Sequence, residues 1–200
     1  MVRSETSTEQ RILEIAADQI RSFGPARATI VSIADAAHMS HANVYRYYPS
    51  KRALFDEVTA AWLRPVESSI RVISDSPDPA YDKLERILFC IHKAYREKFE
   101  DDQVIFALFS SAVIEGRGVA RKHRNRLQTE VQRVLEEGMS GGVFPVADLR
   151  KGLALVFDAL HRFTHPVAVQ LDRDVPKATL EQRFQRVTGL VIRALTSGRY

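Results

Sequence analysis

Apolar side chains recur every three or four residues along most of the chain, which is the spacing of amphipathic helices. The first apolar stripe runs from Ile12 to Phe23 and ends at Gly24 with Pro25 behind it, a pair that terminates helices. No alternating stretch is long enough for a strand, so the pattern predicts an all-α protein. Further helices are expected over residues 30–37, 41–48, 51–74, 80–99, 102–115, 119–138, 146–165 and 177–196.

A helix-turn-helix pattern lies in residues 33–54. An apolar face at helical spacing ends at Ala37, residues 38–40 interrupt it, and a second amphipathic segment runs from His41 to Tyr48. In this motif the first residues of the second helix meet base edges in the major groove of DNA. The candidates for base contact are Ser40, His41, Ala42 and Asn43.

The charge of the same stretch favours a nucleic acid as partner. No carboxylate occurs between Asp35 and Asp56, and the basic and aromatic residues there suit contact with phosphates. Asn43 can pair bidentately with adenine, and Ala42 can meet a thymine methyl group. We therefore expect the chain to bind double-stranded DNA. The groups that surround the expected base contacts are Tyr45, Arg46, Tyr47, Tyr48, Lys51 and Arg52.

Residues 8–62 resemble the N-terminal part of the tetracycline-repressor (TetR) family of transcriptional regulators. Four features at fixed spacing carry the resemblance: the small-residue segment IADAA, Ser40 at the start of the second helix, the pair Val44–Tyr45 followed by two aromatics, and Ser50-Lys51-x-x-Leu54. Family members usually have glycine where this chain has His38. A left-handed backbone is therefore expected at His38, which tolerates it less well than glycine does.

The resemblance also assigns contacts with the DNA backbone. Tyr45, Tyr47 and Lys51 fall where phosphate-contacting side chains occur in the family, whereas Val44 and Tyr48 are expected to face inward. Thr29 begins the second helix at a position that lies against the DNA backbone in the family. A plain helix cap for Thr29, a core position for the tyrosines and a solvated lysine are the alternatives.

The resemblance further implies how functions are arranged along the chain. Residues 1–50 are expected to form the helix-turn-helix DNA-binding domain, residues 51–75 a connecting helix, and residues 76–200 a ligand-binding and dimerisation domain. Pro65 is expected to kink or split the connecting helix, and the SDSPDP run after it marks a linker. By resemblance the protein is a repressor that leaves a palindromic operator when a small-molecule effector binds.

The last two predicted helices are apolar over much of their circumference. The segment LALVFDALHRF at residues 153–163 is nearly continuous in apolar residues, and Leu190, Val191 and Leu195 form a second apolar face beside Gly189. A single neighbouring helix would not cover so much apolar surface. We therefore expect a homodimer through the last two helices, as the resemblance also implies.

An effector cavity would need apolar walls and a few polar groups. His92, Tyr95 and Phe99 share one predicted helix, and an ordinary aromatic core is the alternative for each candidate. His161 and His165, spaced one helical turn apart, suggest a second hypothesis of a helical metal-dependent hydrolase, although Arg162 stands where a catalytic HExxH motif has glutamate. The candidate effector-binding residues are His92, Tyr95, Phe99, Phe106, Phe109, Phe157 and His161.

Composition limits the remaining classes of function. The chain has 45% hydrophobic residues, a formal charge of +4 and a single cysteine, Cys90. It has no apolar run of the roughly 18 residues that a membrane span needs, so no membrane partner is expected. A single cysteine cannot form a disulfide within the chain, so a cytoplasmic location is expected. No phosphate-binding glycine loop, nucleophile elbow or cysteine cluster is present, so we expect neither an enzyme nor a cofactor. A third hypothesis is a DNA-binding dimer without ligand control.

Overall fold

The computed structural model describes residues 7–198, and in this part of the chain the structure is helical without strands. The all-α prediction is confirmed. The helices are α1 Thr8–Arg27, α2 Ile30–Ala36, α3 His41–Tyr47, α4 Lys51–Ser74, α5 Ala80–Asp101, α6 Gln103–Ile114, α7 Gly118–Ser140, α8 Leu149–Ala159, α9 His161–Thr164, α10 Pro166–Leu171 and α11 Lys177–Ser197.

The first of two compact units combines the chain up to residue 64 with residues 102–120. Helix α6 packs against α1 and adds Ile105 and Leu108 to the core that the N-terminal helices form. Two charged contacts accompany this packing. Arg21 donates to Asp102 (2.9 Å), and Arg117 donates to Asp56 (2.8 Å). The N-terminal helices therefore share one core with residues 102–120, which lie much further along the chain.

The second compact unit contains residues 65–101 and the chain from residue 121 onward. Helix α5 packs against α9, α10 and α11, and α11 also packs against α8. The ammonium group of Lys83 is buried and donates to the Glu137 carboxylate at 2.8 Å, which compensates the cost of burying that charge. The chain division expected at residues 50 and 75 differs from these units because α6 belongs to the first one.

The ends of α1 and the course of α4 follow from single residues. Gly24 has φ 77° and interrupts the helical backbone where the sequence predicted the end of α1. Phe23, expected on the apolar stripe, is instead 56% exposed. Pro65 was expected to kink or split α4, and the split does not occur, since α4 continues through it. Pro65 is exposed, so water can hydrate the carbonyl that lacks a helical donor.

The segment expected as one helix over residues 146–165 is divided into shorter helices. The helical backbone changes direction at Leu160, and α9 ends at Thr164. Pro166 was expected to begin a loop but begins α10, because a proline is accommodated in the first turn of a helix. Among the described residues no single helix is long and apolar enough to cross a membrane, and only α6 and α7 taken together across a bend reach that length and hydropathy.

The apolar faces of the last helices are partly covered within the chain itself. Val191 and Leu195 are buried, so their expected place on a dimer surface is wrong. The same correction applies to three residues of the 153–163 segment: Val156, Leu160 and Phe163. Leu190 remains 59% exposed on α11. On α8, Leu153, Leu155 and Phe157 are half-buried.

Candidate nucleic-acid interface and effector site

The turn between α2 and α3 is closed by two backbone hydrogen bonds. The amide of Met39 donates to the Ala34 carbonyl (3.0 Å), and the amide of His38 donates to the Asp35 carbonyl (3.0 Å). This pair of bonds is the Schellman motif, which requires a left-handed residue after the helix. His38 supplies it with φ 55°, as the sequence predicted. The turn therefore redirects the chain within three residues and sets the start of α3.

The first turn of α2 is fixed by a reciprocal cap. The Thr29 hydroxyl accepts a hydrogen bond from the Ser32 amide (3.0 Å), and the Ser32 hydroxyl accepts one from the Thr29 amide (3.1 Å). Such a capping box satisfies two amides that a helix start leaves open. Thr29 is exposed, so its capping role and the predicted contact with DNA are compatible.

The N-terminus of α3 presents the predicted base-contacting residues to solvent. The Ser40 hydroxyl accepts from the Asn43 amide (3.2 Å) and caps the helix. His41 and Ala42 are exposed, and Asn43 is half-buried. The Asn43 side-chain amide lies 3.9 Å from the Met39 sulfur, and a thioether is a weak acceptor. The amide thus remains able to exchange that contact for a base edge.

The tyrosines that follow divide between the core and the surface. Tyr48 is buried beside Val44, as predicted, and its hydroxyl donates to the Glu9 carbonyl at 3.4 Å. Burial raises the pKa of the Tyr48 phenol, so the phenol stays a neutral donor. Tyr45 and Tyr47 are 47% and 43% exposed. Their hydroxyls are therefore available to phosphates, together with the exposed Arg46.

Lys51 is held by contacts within its own unit. Its ammonium group donates to the Ala26 carbonyl at 3.3 Å and lies 5.1 Å from the centre of the Phe55 ring. Lysine has three donors, so one bond to Ala26 leaves others for a phosphate. The sequence did not reveal this link, which connects the beginning of α4 to the end of α1.

The predicted effector residues do not gather in one unit. Phe106 and Phe109 belong to the first unit, where their rings pack against Trp62 at 6.0 and 6.5 Å between ring centres. The other five residues of that prediction lie in the second unit. Phe157 there is half-buried, and His161 is exposed. The prediction failed to separate these groups because aromatic residues in a helical sequence carry no sign of which unit they join.

Tyr95 belongs to a buried polar chain that sequence analysis missed. The Tyr95 hydroxyl lies 2.9 Å from His123 Nε2, and His123 Nδ1 lies 2.7 Å from the Glu67 carboxylate, which also accepts from Arg126 (2.6 Å). Burial of the Glu67 carboxyl opposes its ionisation, but hydrogen bonds and charge from His123 and Arg126 outweigh burial and lower its pKa. Burial raises the pKa of Tyr95. The chain thus links α4, α5 and α7 within the second unit.

His92 lies at a cleft of about 230 Å³ between α5 and α11. Its ring stacks on Phe184 with 4.3 Å between ring centres, and burial lowers its pKa. Arg96, one helical turn further along α5, lines the same cleft and is buried. The spacing of His92 and Arg96 on one face was available from sequence, but an arginine in an amphipathic helix is ordinarily exposed. Phe99 is also buried, and the Arg96 guanidinium lies 5.7 Å from its ring centre.

The paired histidines do not converge on a common ligand position. The rings of His161 and His165 stack with 4.4 Å between their centres and 21° between their planes. Burial lowers the pKa of His165, and the neighbouring His161 and Arg124 act in the same direction. Among residues 7–198 no group of three or more histidine, cysteine or acidic side chains is placed to hold a metal ion. The hydrolase hypothesis gains no support from this arrangement.

A tight turn, an exposed start of α3 and a segment without carboxylates between Asp35 and Asp56 together define a helix-turn-helix DNA-binding protein. Two family models match the chain: "Bacterial regulatory proteins, tetR family" over residues 12–58 and "Tetracyclin repressor-like, C-terminal domain" over residues 80–188. The chain therefore belongs to the TetR family of transcriptional regulators, as its motif residues indicated. TetR-family regulators bind DNA and small-molecule ligands as dimers.

Individual relatives agree with this assignment. The chain is 22% identical over 161 residues to the uncharacterized HTH-type transcriptional regulator YhgD of Bacillus subtilis, covering 74% of this chain and 81% of that protein. The fatty acid degradation regulator FadR of Bacillus halodurans has a similar structure, with TM-score 0.63, 15% identity and 97% of each chain covered. RolR in complex with resorcinol gives TM-score 0.63 and 17% identity over 94% of this chain and 87% of its own. At these identities the structural likeness shows the fold.

Proposed function

We propose that this TetR-family regulator is a repressor that recognises its operator through the first residues of α3. The observation that carries the proposal is the exposed, capped start of α3 behind the His38 turn. Ser40, His41, Ala42 and Asn43 lie there, and Asn43 is the one whose amide matches adenine bidentately. Thr29, Tyr45, Tyr47 and Lys51 would fix the register of the protein through phosphates.

Asn43 and Lys51 provide a test of these separate roles. Asn43→Ala should lose about 1–3 kcal/mol of binding free energy on the operator and little on random DNA, because a base contact discriminates between sequences. Lys51→Ala should weaken binding to every sequence and reduce the salt slope by about one unit. Fluorescence anisotropy on an operator obtained by selection from random DNA measures both effects.

Two surface residues of the second unit serve as matched controls. Asn125→Ala and Lys122→Ala remove the same side chains from exposed positions of α7 and should leave DNA binding unchanged. Equal losses on all sequences for Asn43→Ala and Lys51→Ala would contradict the assigned roles. A melting curve for Lys51→Ala is needed as well, since that variant also loses the hydrogen bond to Ala26.

We further propose that the last helices form the homodimer interface. Leu190 on α11 and the half-buried Leu153, Leu155 and Phe157 on α8 are the apolar groups that a partner would cover. The two helices pack against each other within the protomer, so their outer faces can act as one surface. A twofold dimer would present two equivalent α3 helices to a palindromic operator.

Release by a small molecule is the remaining part of the proposal. RolR was crystallised in complex with its ligand resorcinol, and FadR is a regulator of fatty acid degradation, which supports a small organic effector for this chain. An effector would favour a dimer whose α3 helices no longer match the half-sites. The equilibrium between this dimer and the DNA-binding dimer can shift by no more than the difference in effector affinity between the two. Calorimetry with and without operator should therefore give different effector affinities. Identical affinities would refute ligand control while leaving DNA binding intact.

A further inference from the structure

We propose that the cleft between α5 and α11 binds a small monocarboxylic acid, with Arg96 as the partner of the carboxylate. The cleft is lined by Phe89, His92, Lys93, Arg96, Glu97, Lys177, Leu180 and Glu181. An effect of the acid on operator binding rests on the proposed ligand control. Binding of the acid depends only on the unmet hydrogen-bonding groups, the charge and the size of the cleft.

Arg96 has a guanidinium group that is buried and incompletely paired. Its side chain is 9% exposed, and Nη2 donates to the Glu100 carboxylate at 3.3 Å. Nε and Nη1 are buried, and neither has a hydrogen-bond partner within residues 7–198. A buried donor that lacks an acceptor destabilises the fold, and more so when it is charged. An oxyanion that reached these nitrogens would offset that destabilisation.

His92 provides a second unmet polar atom one helical turn from Arg96. It is buried, and in the described part of the chain its Nδ1 has no hydrogen-bond partner. In a neutral ring Nδ1 can accept from a hydroxyl beside the carboxylate, and in a protonated ring it can donate to the carboxylate itself. The stacking on Phe184 and the edge contact with Phe163 hold the ring in place. The site is therefore built into the protein and is not a chance gathering of surface charges.

The charge and volume of the cleft favour one class of ligand, a monoanion with an apolar body. Three cations and two carboxylates line the cleft, and one carboxylate, Glu97, lies 3.7 Å from Lys93. The second, Glu181, would repel a dianion such as phosphate more than a monoanion. Phe89 and Leu180 offer apolar contact. Ligand pockets usually exceed about 300 Å³, so 230 Å³ suits an acid of roughly ten heavy atoms.

Entry of the acid requires a side chain to move, because the two unpaired Arg96 nitrogens are covered. Lys177 at the beginning of α11 lines the cleft and is the side chain that we expect to move: it is 66% exposed, and its ammonium lies 4.0 Å from Glu100. A contact of that length at the surface contributes little to stability. Displacing Lys177 would therefore cost little and would leave its charge near the ligand.

Calorimetric titration of the full chain with benzoate and with hexanoate tests the inference. Benzamide and hexanamide are the neutral controls, and inorganic phosphate is the control for a bare anion. At least one acid should bind at least tenfold more tightly than its amide. Arg96→Gln should weaken that binding at least tenfold. Lys177→Glu, an exposed substitution without risk to folding, should weaken it severalfold, whereas Lys122→Glu on α7 should have no effect.

The outcomes separate the site from the regulatory role. Neither acid binding more tightly than its amide, or unchanged binding by Arg96→Gln and Lys177→Glu, would overturn the inference. Phosphate binding in place of the acids would overturn the carboxylate assignment. Acid binding that depends on Arg96 but leaves operator affinity unchanged would support the site and refute ligand control through it.

Discussion

Leu190→Glu should dissociate the dimer while each protomer keeps its fold. Leu190 lies on α11 next to Val191, but only Leu190 is exposed in the protomer. A glutamate at position 190 therefore meets water in the monomer and apolar surface in the dimer. Val191→Glu would instead bury a charge in the core of the second unit. The two neighbouring substitutions thus distinguish an assembly defect from a folding defect.

The expected size of the effect follows from the exposed fraction of Leu190. Complete burial of a leucine contributes about 1.5–3 kcal/mol, so the 59% that the protomer leaves exposed corresponds to roughly 0.9–1.8 kcal/mol. A twofold interface contains two copies, which gives about 1.8–3.5 kcal/mol. That free energy raises the dissociation constant about 20- to 300-fold. The charge of glutamate adds a desolvation cost, so these factors are lower bounds.

Sedimentation equilibrium measures the dissociation constant, and circular dichroism monitors the fold. Leu190→Glu should melt near the wild-type temperature, whereas Val191→Glu should melt far lower or fail to fold. Val72→Glu is the matched control, since Val72 is an exposed apolar residue of α4. Wild-type dimerisation by Leu190→Glu, or equal weakening by Val72→Glu, would refute the proposed interface.

Three further predictions concern the turn, the buried polar chain and the operator. His38→Gly should raise the free energy of unfolding by about 1 kcal/mol in urea titrations, because glycine adopts φ 55° without the side-chain strain, and a destabilised variant would contradict this. Glu67→Gln should lower stability by about 1–3 kcal/mol at pH 7. A carboxyl with a lowered pKa stabilises the fold above its ordinary pKa and loses that effect as pH falls. The difference in melting temperature between wild type and Glu67→Gln should therefore shrink in acid, and a constant difference would contradict the role of the Glu67 charge. Footprinting should reveal a near-palindrome with half-site centres about 34 Å apart or a multiple of that, and one tightly bound asymmetric half-site would contradict it.

The features of the DNA-binding surface that sequence predicted are those set by neighbouring residues. Ser40 caps α3, Gly24 interrupts α1, and His38 takes the left-handed conformation that a tight turn after a helix requires. Each depends on hydrogen bonds within a few residues, so a local pattern is sufficient to predict it. The inward direction of Val44 and Tyr48 followed from helical spacing for the same reason.

Features that depend on packing between helices far apart in sequence could not be predicted from local sequence patterns. Leu190 and Val191 are equally apolar neighbours, and only the position of α8 and α5 beside α11 decides which one is covered. Likewise, the spacing of Phe106 gave no sign that α6 returns to the first unit. The burial of Arg96 depends on α11, more than eighty residues away in sequence, so no pattern within α5 predicts it.

The return of α6 to the first unit restricts how such regulators can be recombined. A fragment ending at residue 64 would lose Ile105 and Leu108 from its core and leave Arg21 and Asp56 without their partners Asp102 and Arg117. A chimaera that joins the N-terminal helices of this chain to another sensor would therefore inherit a mismatched α6. On the proposed recognition of DNA through α3, exchange of DNA specificity between relatives is better achieved by transplanting the solvent-facing residues of α3 onto an intact chain. The part to exchange is then a few side chains of α3 and not a whole domain.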